Sequence, residues 1–120
     1  MKVLVASHLY PSSVSLTSGS FVHNQVRFLS AHCSIQVVSP TPWFPPLLAC
    51  GRWGALGRIR RREVVDGVEI KRPPYLTLPR RMLFSQVWRS YLAALRRAVS
   101  EPPDLIHAHC AYPDGLAAVH

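Results

Sequence analysis

Two histidines and a cysteine near the carboxyl end, His107-Ala-His109-Cys110, are the side chains best suited to chemistry. Alternate residues of a strand share a face, so both imidazoles point one way and Cys110 the other. An imidazole at a strand end suits a hydrogen bond to a substrate hydroxyl or to a charge that develops during reaction. The same pair fits equally well one histidine satisfied in the core and one exposed to water. A zinc site needs more ligands than this run supplies, so no metal is expected.

A second candidate is the loop from His8 to Gly19, which leads into a helix start at Gly19-Ser20. Free N–H groups and a partial positive charge at such a start favour a phosphate or a sugar hydroxyl. Gly19 would let a ligand approach the backbone. An ordinary strand-to-helix connection also accounts for it, because neither G-x-G-x-x-G nor G-K-[ST] is present.

The third candidate combines rings and cations, from Trp43-Phe44 through Arg58, Arg60, Arg61 and Arg62, with Arg80-Arg81 further on. Rings beside guanidinium groups suit an anionic membrane surface or an acidic acceptor. Stacking on single-stranded nucleic acid is the less favoured alternative. A solvated loop with a few rings tucked inward explains the same composition.

These residues are positioned by an alternation of strands and helices. Lys2–Ala6 is the short, almost wholly apolar run of a strand covered on both faces. Phe21, Val22, Val26 and Leu29 then recur at helical spacing, with Ser18 or Ser20 as the capping residue. Ser34–Val38 is a second strand, so the first forty residues form a βαβ unit. Residues 40–58 carry too much proline and glycine for regular structure and read as an extended loop. Asp66-Gly67 between β-branched residues marks a hairpin. The apolar spacing from Met82 to Val99 predicts an amphipathic helix, with Arg89, Arg96 and Arg97 on its wet side and Pro102-Pro103 ending it. Leu105–His109 reads as a buried strand, Pro113-Asp-Gly115 as a turn, and Leu116–Val119 as the start of another apolar element. An opened but unfinished element leaves sheet surface uncovered, which implies a C-terminally truncated piece of a longer protein.

The bulk composition agrees with one domain, residues 1–120. An apolar content of 48% excludes wholesale disorder. No run reaches the roughly 20 apolar residues of a bilayer span, and no signal peptide is visible, so a cytoplasmic protein is expected. Cys33, Cys50 and Cys110 form no C-x-x-C pair and read as free thiols. Fourteen Lys and Arg against 6 Asp and Glu give a net charge of +8, a field that attracts polyanions.

Five segments together resemble glycosyltransferase family 4. They are Val3-Leu-Val-Ala-Ser-His-Leu-Tyr-Pro11, Ser18-Gly-Ser-Phe-Val-His-Asn-Gln-Val26, Val38-Ser-Pro40, Asp66-Gly-Val-Glu-Ile70 and Pro103-Asp-Leu-Ile-His-Ala-His109. The resemblance is to that family's N-terminal domain and covers nearly the whole chain. It implies an α/β fold: a Rossmann-like parallel sheet with flanking helices and a β-hairpin insertion, the incomplete acceptor-side half of a GT-B enzyme. It also implies retaining transfer from a nucleotide-sugar to a glycan or lipid-linked acceptor, with no metal and no cofactor beyond the donor substrate. The first-loop glycine maps onto Gly19, with Ser20 beside it, and the catalytic histidine onto His109. His23 and Asp114 match polar positions flanking the cleft. Ser18-Gly19 departs from the family's usual glycine pair, and the donor-binding C-terminal domain is missing from the chain, so the piece alone is expected to be inactive. Peripheral association with the inner membrane face is compatible with the basic surface. A non-catalytic Rossmann-like module that binds anionic membrane or nucleic acid is the alternative.

Overall fold

The computed structural model describes residues 1–45, 47 and 51–120, without the side chains of residues 52, 53 and 79. The expectations for Pro46, Leu48 and Cys50 lie outside the described residues. Seven strands are formed: β1 Lys2–Ala6, β2 Ser34–Val38, β3 Thr41–Trp43, β4 Arg62–Val65, β5 Val68–Lys71, β6 Pro74–Leu76 and β7 Leu105–Ala108. The helices are α1 Ser20–Leu29, α2 Arg52–Leu56, α3 Val87–Ala98 and the single turn α4 Leu116–Ala118.

The main sheet has the order β4-β5-β2-β1-β7. All its pairings are parallel except β4 with β5. Helices lie on both faces, and β1 shows why its sequence is uniformly apolar. Val3 and Val5 face Val22 and Val26 of α1. Leu4 and Ala6 face Leu95 of α3, with Ala98 and Val99 alongside. A strand alternates its sides, so a strand with a helix on each side must be apolar at every position. The sheet and flanking helices therefore agree with the Rossmann-like expectation.

The expected hairpin is formed: the Asp66-Gly67 turn has φ of 51° and 79°, as a two-residue hairpin of this type requires, and β5 joins the main sheet by pairing with β2. Four details differ from the sequence expectations. The proline-rich loop contains β3, which pairs in parallel with β6 as a separate two-stranded sheet. Pro42 is tolerated because a two-stranded pair leaves one edge without hydrogen-bond demand. The loop also contains the short helix α2.

The predicted helix from Met82 begins only at Val87. Leu83 sits at φ 52°, which breaks α-helical continuity, and Phe84–Gln86 is a 3₁₀ turn. At the other end Val99 is already extended. No side chain caps α1; its N-cap is Gly19 in the left-handed region, so neither Ser18 nor Ser20 has the expected role. Finally, β7 is an edge strand rather than a buried one, with Leu105 48% and Ile106 40% exposed.

Candidate functional site

Parallel pairing brings the carboxyl ends of β1, β2, β5 and β7 to one side of the main sheet. Ligands of open α/β sheets bind at such an edge. Just beyond β7, the His109 N–H donates to the Ala6 carbonyl at 3.2 Å, so the pairing with β1 continues past the strand. His107 and His109 share a face as expected, with rings stacked 4.5 Å apart and 16° from coplanar. The His109 ring meets Phe21, in the first turn of α1, edge-on at 5.8 Å. Partial burial lowers the His109 pKa, and its His107 neighbour lowers it further, against a smaller opposing pull from Asp114. His109 is therefore biased towards the neutral ring, which can both donate and accept a hydrogen bond.

The helix start next to His109 depends on Gly19. A Cβ at that position would lie 2.3 Å from the Leu9 carbonyl oxygen, and φ is 69°. The space that a side chain would take is thus filled by the chain's own backbone rather than kept open for a ligand. Ser20 is exposed beside it.

His23 and Asp114 are both committed within the protein. His23 is 8% exposed. Its Nε2 lies 2.9 Å from the Asp66 carboxylate and its Nδ1 2.7 Å from the Tyr10 hydroxyl. A carboxylate only accepts, so in the neutral ring Nε2 carries the proton and Tyr10 donates to Nδ1. His23 thereby ties α1 to the first loop and to the hairpin tip. Burial pushes the Tyr10 hydroxyl up to about 12, which keeps it a donor.

Asp114 is fully buried. Its carboxylate accepts the His8 backbone N–H at 3.1 and 3.3 Å, and His8 Nδ1 lies 3.1 Å from both oxygens. The structure thus places Asp114 behind His8, which opens the candidate loop His8–Gly19 but has no role assigned to it in the sequence. Cys110 joins the same group: ligand atoms of His8, Cys110 and Asp114 all lie within 4.8 Å of one another. A signal for this group exists, since His8 and Cys110 each lie two residues past the end of a paired strand, but reading it requires the β1–β7 register.

The aromatic and basic stretch divides between core and surface. Phe44 is buried and Trp43 is 43% exposed. Arg61, Arg62, Lys71, Arg72 and Arg97 line a cleft of about 350 Å³ that has no acidic residue among its lining. Arg72 is held by Glu63 and by the Pro11 carbonyl. Arg61 and Arg62 are exposed. No described helix is long and apolar enough to cross a membrane.

Comparison with known proteins finds similarity to a Bacillus subtilis (strain 168) protein described as "Putative teichuronic acid biosynthesis glycosyltransferase TuaC". The two are 32% identical over 124 aligned residues, covering 98% of this chain and 32% of that protein. The chain thus spans about a third of the length of this relative. No family model matches the chain, and no solved structure matches it significantly.

Proposed function

We propose that the chain is the acceptor-side, N-terminal part of a family 4 glycosyltransferase with GT-B architecture. In this proposal the whole protein moves a sugar, with retention, from a nucleotide-sugar to a glycan or lipid-linked acceptor. The similarity to TuaC along almost the entire chain carries the proposal. That relative is named for the biosynthesis of teichuronic acid, and the net charge of +8 favours an acidic acceptor here too. The enzyme would work in the cytoplasm at the inner membrane face, with the nucleotide-sugar as substrate and no separate cofactor.

The proposed roles follow from position. The α1 start at Gly19 and Ser20 lines the phosphate and acceptor side, where helix N–H groups favour negative charge. His109 hydrogen-bonds the transferred sugar and favours the charge that builds up as the nucleotide departs. His23 and Asp114 act from behind, holding the first loop and His8. The test is sugar transfer by the full-length protein that contains this chain, assayed with labelled UDP- and GDP-sugars. His109→Ala is expected to lower turnover by two or more orders of magnitude, roughly the effect of losing a preorganised hydrogen-bond donor, with circular dichroism unchanged. Wild-type turnover in that variant removes His109 from the mechanism.

The arginine-lined cleft favours a second reading, a non-catalytic module that docks on anionic lipid or nucleic acid. Vesicle and oligonucleotide binding across a salt series distinguishes the two polyanions. Sugar transfer by the full-length protein excludes the purely non-catalytic module.

A further inference from the structure

A second chemical possibility lies at the ends of β1 and β7. In their register Ala6 is level with Ala108. Two residues on, His8 and Cys110 stand side by side at the strand ends. The turn Ala111–Gly115 then brings Asp114 back towards them. The Gly115 N–H donates to the Cys110 carbonyl at 2.8 Å and closes this turn. A Cβ on Gly115 would come within 3.0 Å of the same oxygen, so the tight return suits glycine.

The result is one imidazole, one thiol and one carboxylate whose ligand atoms lie within 4.8 Å of one another. Zinc accepts all three donor types, with ligand atoms about 2.0–2.3 Å from the ion. Tetrahedral geometry at those lengths sets ligand atoms roughly 3.3–3.8 Å apart, so a modest closing of the group completes the set. His8 and Cys110 are both partly exposed, which provides a way in.

The charge balance points the same way. Asp114 is a fully buried carboxylate that accepts the His8 backbone N–H and lies 3.1 Å from His8 Nδ1. The Tyr91 hydroxyl is also fully buried and has no hydrogen-bond partner among the described residues. Burying a carboxylate this deeply demands positive charge or donors, and a divalent cation supplies the former.

We propose that His8 Nδ1, Cys110 Sγ and a carboxylate oxygen of Asp114 form a zinc-binding site that clamps the carboxyl ends of β1 and β7. Cys110 binds as the thiolate and releases its proton to solvent. His8 binds as the neutral ring with its proton on Nε2. Three protein donors leave a fourth position for water or another small ligand. The site is independent of the glycosyl-transfer proposal, because it rests on donor chemistry alone.

The experiment is titration of the purified, reduced protein with Co²⁺, followed by displacement with Zn²⁺. A thiolate-to-cobalt charge-transfer band that saturates at one equivalent is expected, together with the intense visible bands of tetrahedral cobalt. Cys110→Ser should abolish the charge-transfer band. His8→Ala should weaken binding by about tenfold or more, at least the loss typical of disturbing the shell around a metal site. Cys33→Ser and Cys50→Ser should change neither. Both diagnostic variants fall on partly exposed residues, and circular dichroism confirms that each is folded. The proposal is overturned if no thiolate band appears, if the band survives Cys110→Ser, or if His8→Ala binds as tightly as wild type. Loss of the band in Cys33→Ser or Cys50→Ser overturns it equally.

Discussion

The ring of His109 rests edge-on against Phe21 at a centroid distance of 5.8 Å. Phe21 belongs to the first turn of α1 and His109 lies just past β7, so this contact joins the helix start to the strand end. These are two of the three features that the sequence singles out for chemistry, and they share one edge of the sheet. His109 also stacks on His107. The imidazole thus contacts two rings, which restricts its orientation.

If His109 has the proposed role, that support makes Phe21 a positioning residue with a measurable effect. It is 56% exposed, so its removal opens no cavity. Phe21→Ala in the full-length protein should lower sugar-transfer turnover, by less than His109→Ala, while moving the melting temperature little. Phe21→Tyr should retain most activity because the ring remains. Equal turnover in wild type and Phe21→Ala shows that the contact does not orient His109 for the proposed reaction.

Gly19 and Gly67 both have positive φ, yet they should respond differently to substitution. At Gly67 an added Cβ meets nothing within 4 Å. Gly67→Ala therefore carries mainly the left-handed backbone cost, about 1–2 kcal/mol. At Gly19 the same atom would press into the Leu9 carbonyl at 2.3 Å, and backbone cannot give way as a flexible side chain can. Gly19→Ala should thus be the more damaging variant, with a clearly lower denaturation midpoint or loss of soluble protein. Equal midpoints for the two variants contradict the close packing of α1 on the first loop.

The contrast between these glycines also shows which features are legible in the sequence. The Asp66-Gly67 turn is readable because its determinants are local: two residues with positive φ between β-branched neighbours. Strand β1 is readable at its observed bounds because burial on both faces leaves a nearly continuous apolar run, and β2 because Ile35, Val37 and Val38 are β-branched. The start of α3 is not, since Met82, Leu83 and Phe84 keep the apolar spacing while the backbone turns at Leu83. The edge position of β7 is hidden for a related reason. Leu105 and Ile106 look like core residues, and only the strand order exposes them. His109 can be chosen from its place at a strand end, whereas the His8–Asp114 pair spans 106 residues and needs the tertiary register. Local patterns specify elements; partners across the sheet depend on the order in which the elements pair.

The buried Tyr91 hydroxyl provides a stability test of a different kind. A hydroxyl without a partner loses its hydrogen bond to water on folding and regains nothing, so its removal should not harm the fold. The ring itself is well used, packing edge-on against Tyr75 at 5.3 Å. Tyr91→Phe should leave stability unchanged or raise it by up to about 1 kcal/mol, the lower end of the penalty for an unsatisfied buried group. Tyr91→Ala, which removes the ring, should cost about 3–5 kcal/mol by analogy with other buried aromatics. A substantial loss in Tyr91→Phe indicates a hydrogen bond to Asp114 in solution.

The hairpin tip should impose a pH dependence of definite sign. The His23 hydrogen bond and, next, the Arg27 charge lower the Asp66 pKa from its ordinary value of 3.8. A carboxyl whose folded pKa is depressed binds protons more weakly in the folded state than in the unfolded one. Its stabilising contribution is therefore complete above the ordinary value and declines as pH falls from there through the lowered folded value. Asp66→Asn should remove this part of the acid sensitivity. Asparagine tolerates the φ of 51° at this position, so the turn itself is preserved. In urea titrations at neutral pH and near pH 3, the midpoint of the wild type should fall further than that of Asp66→Asn. Glu69→Gln, at an exposed carboxylate on the neighbouring strand β5, serves as the control for generic charge removal. An identical fall in wild type and Asp66→Asn means that the His23–Asp66 contact contributes nothing to the folded state.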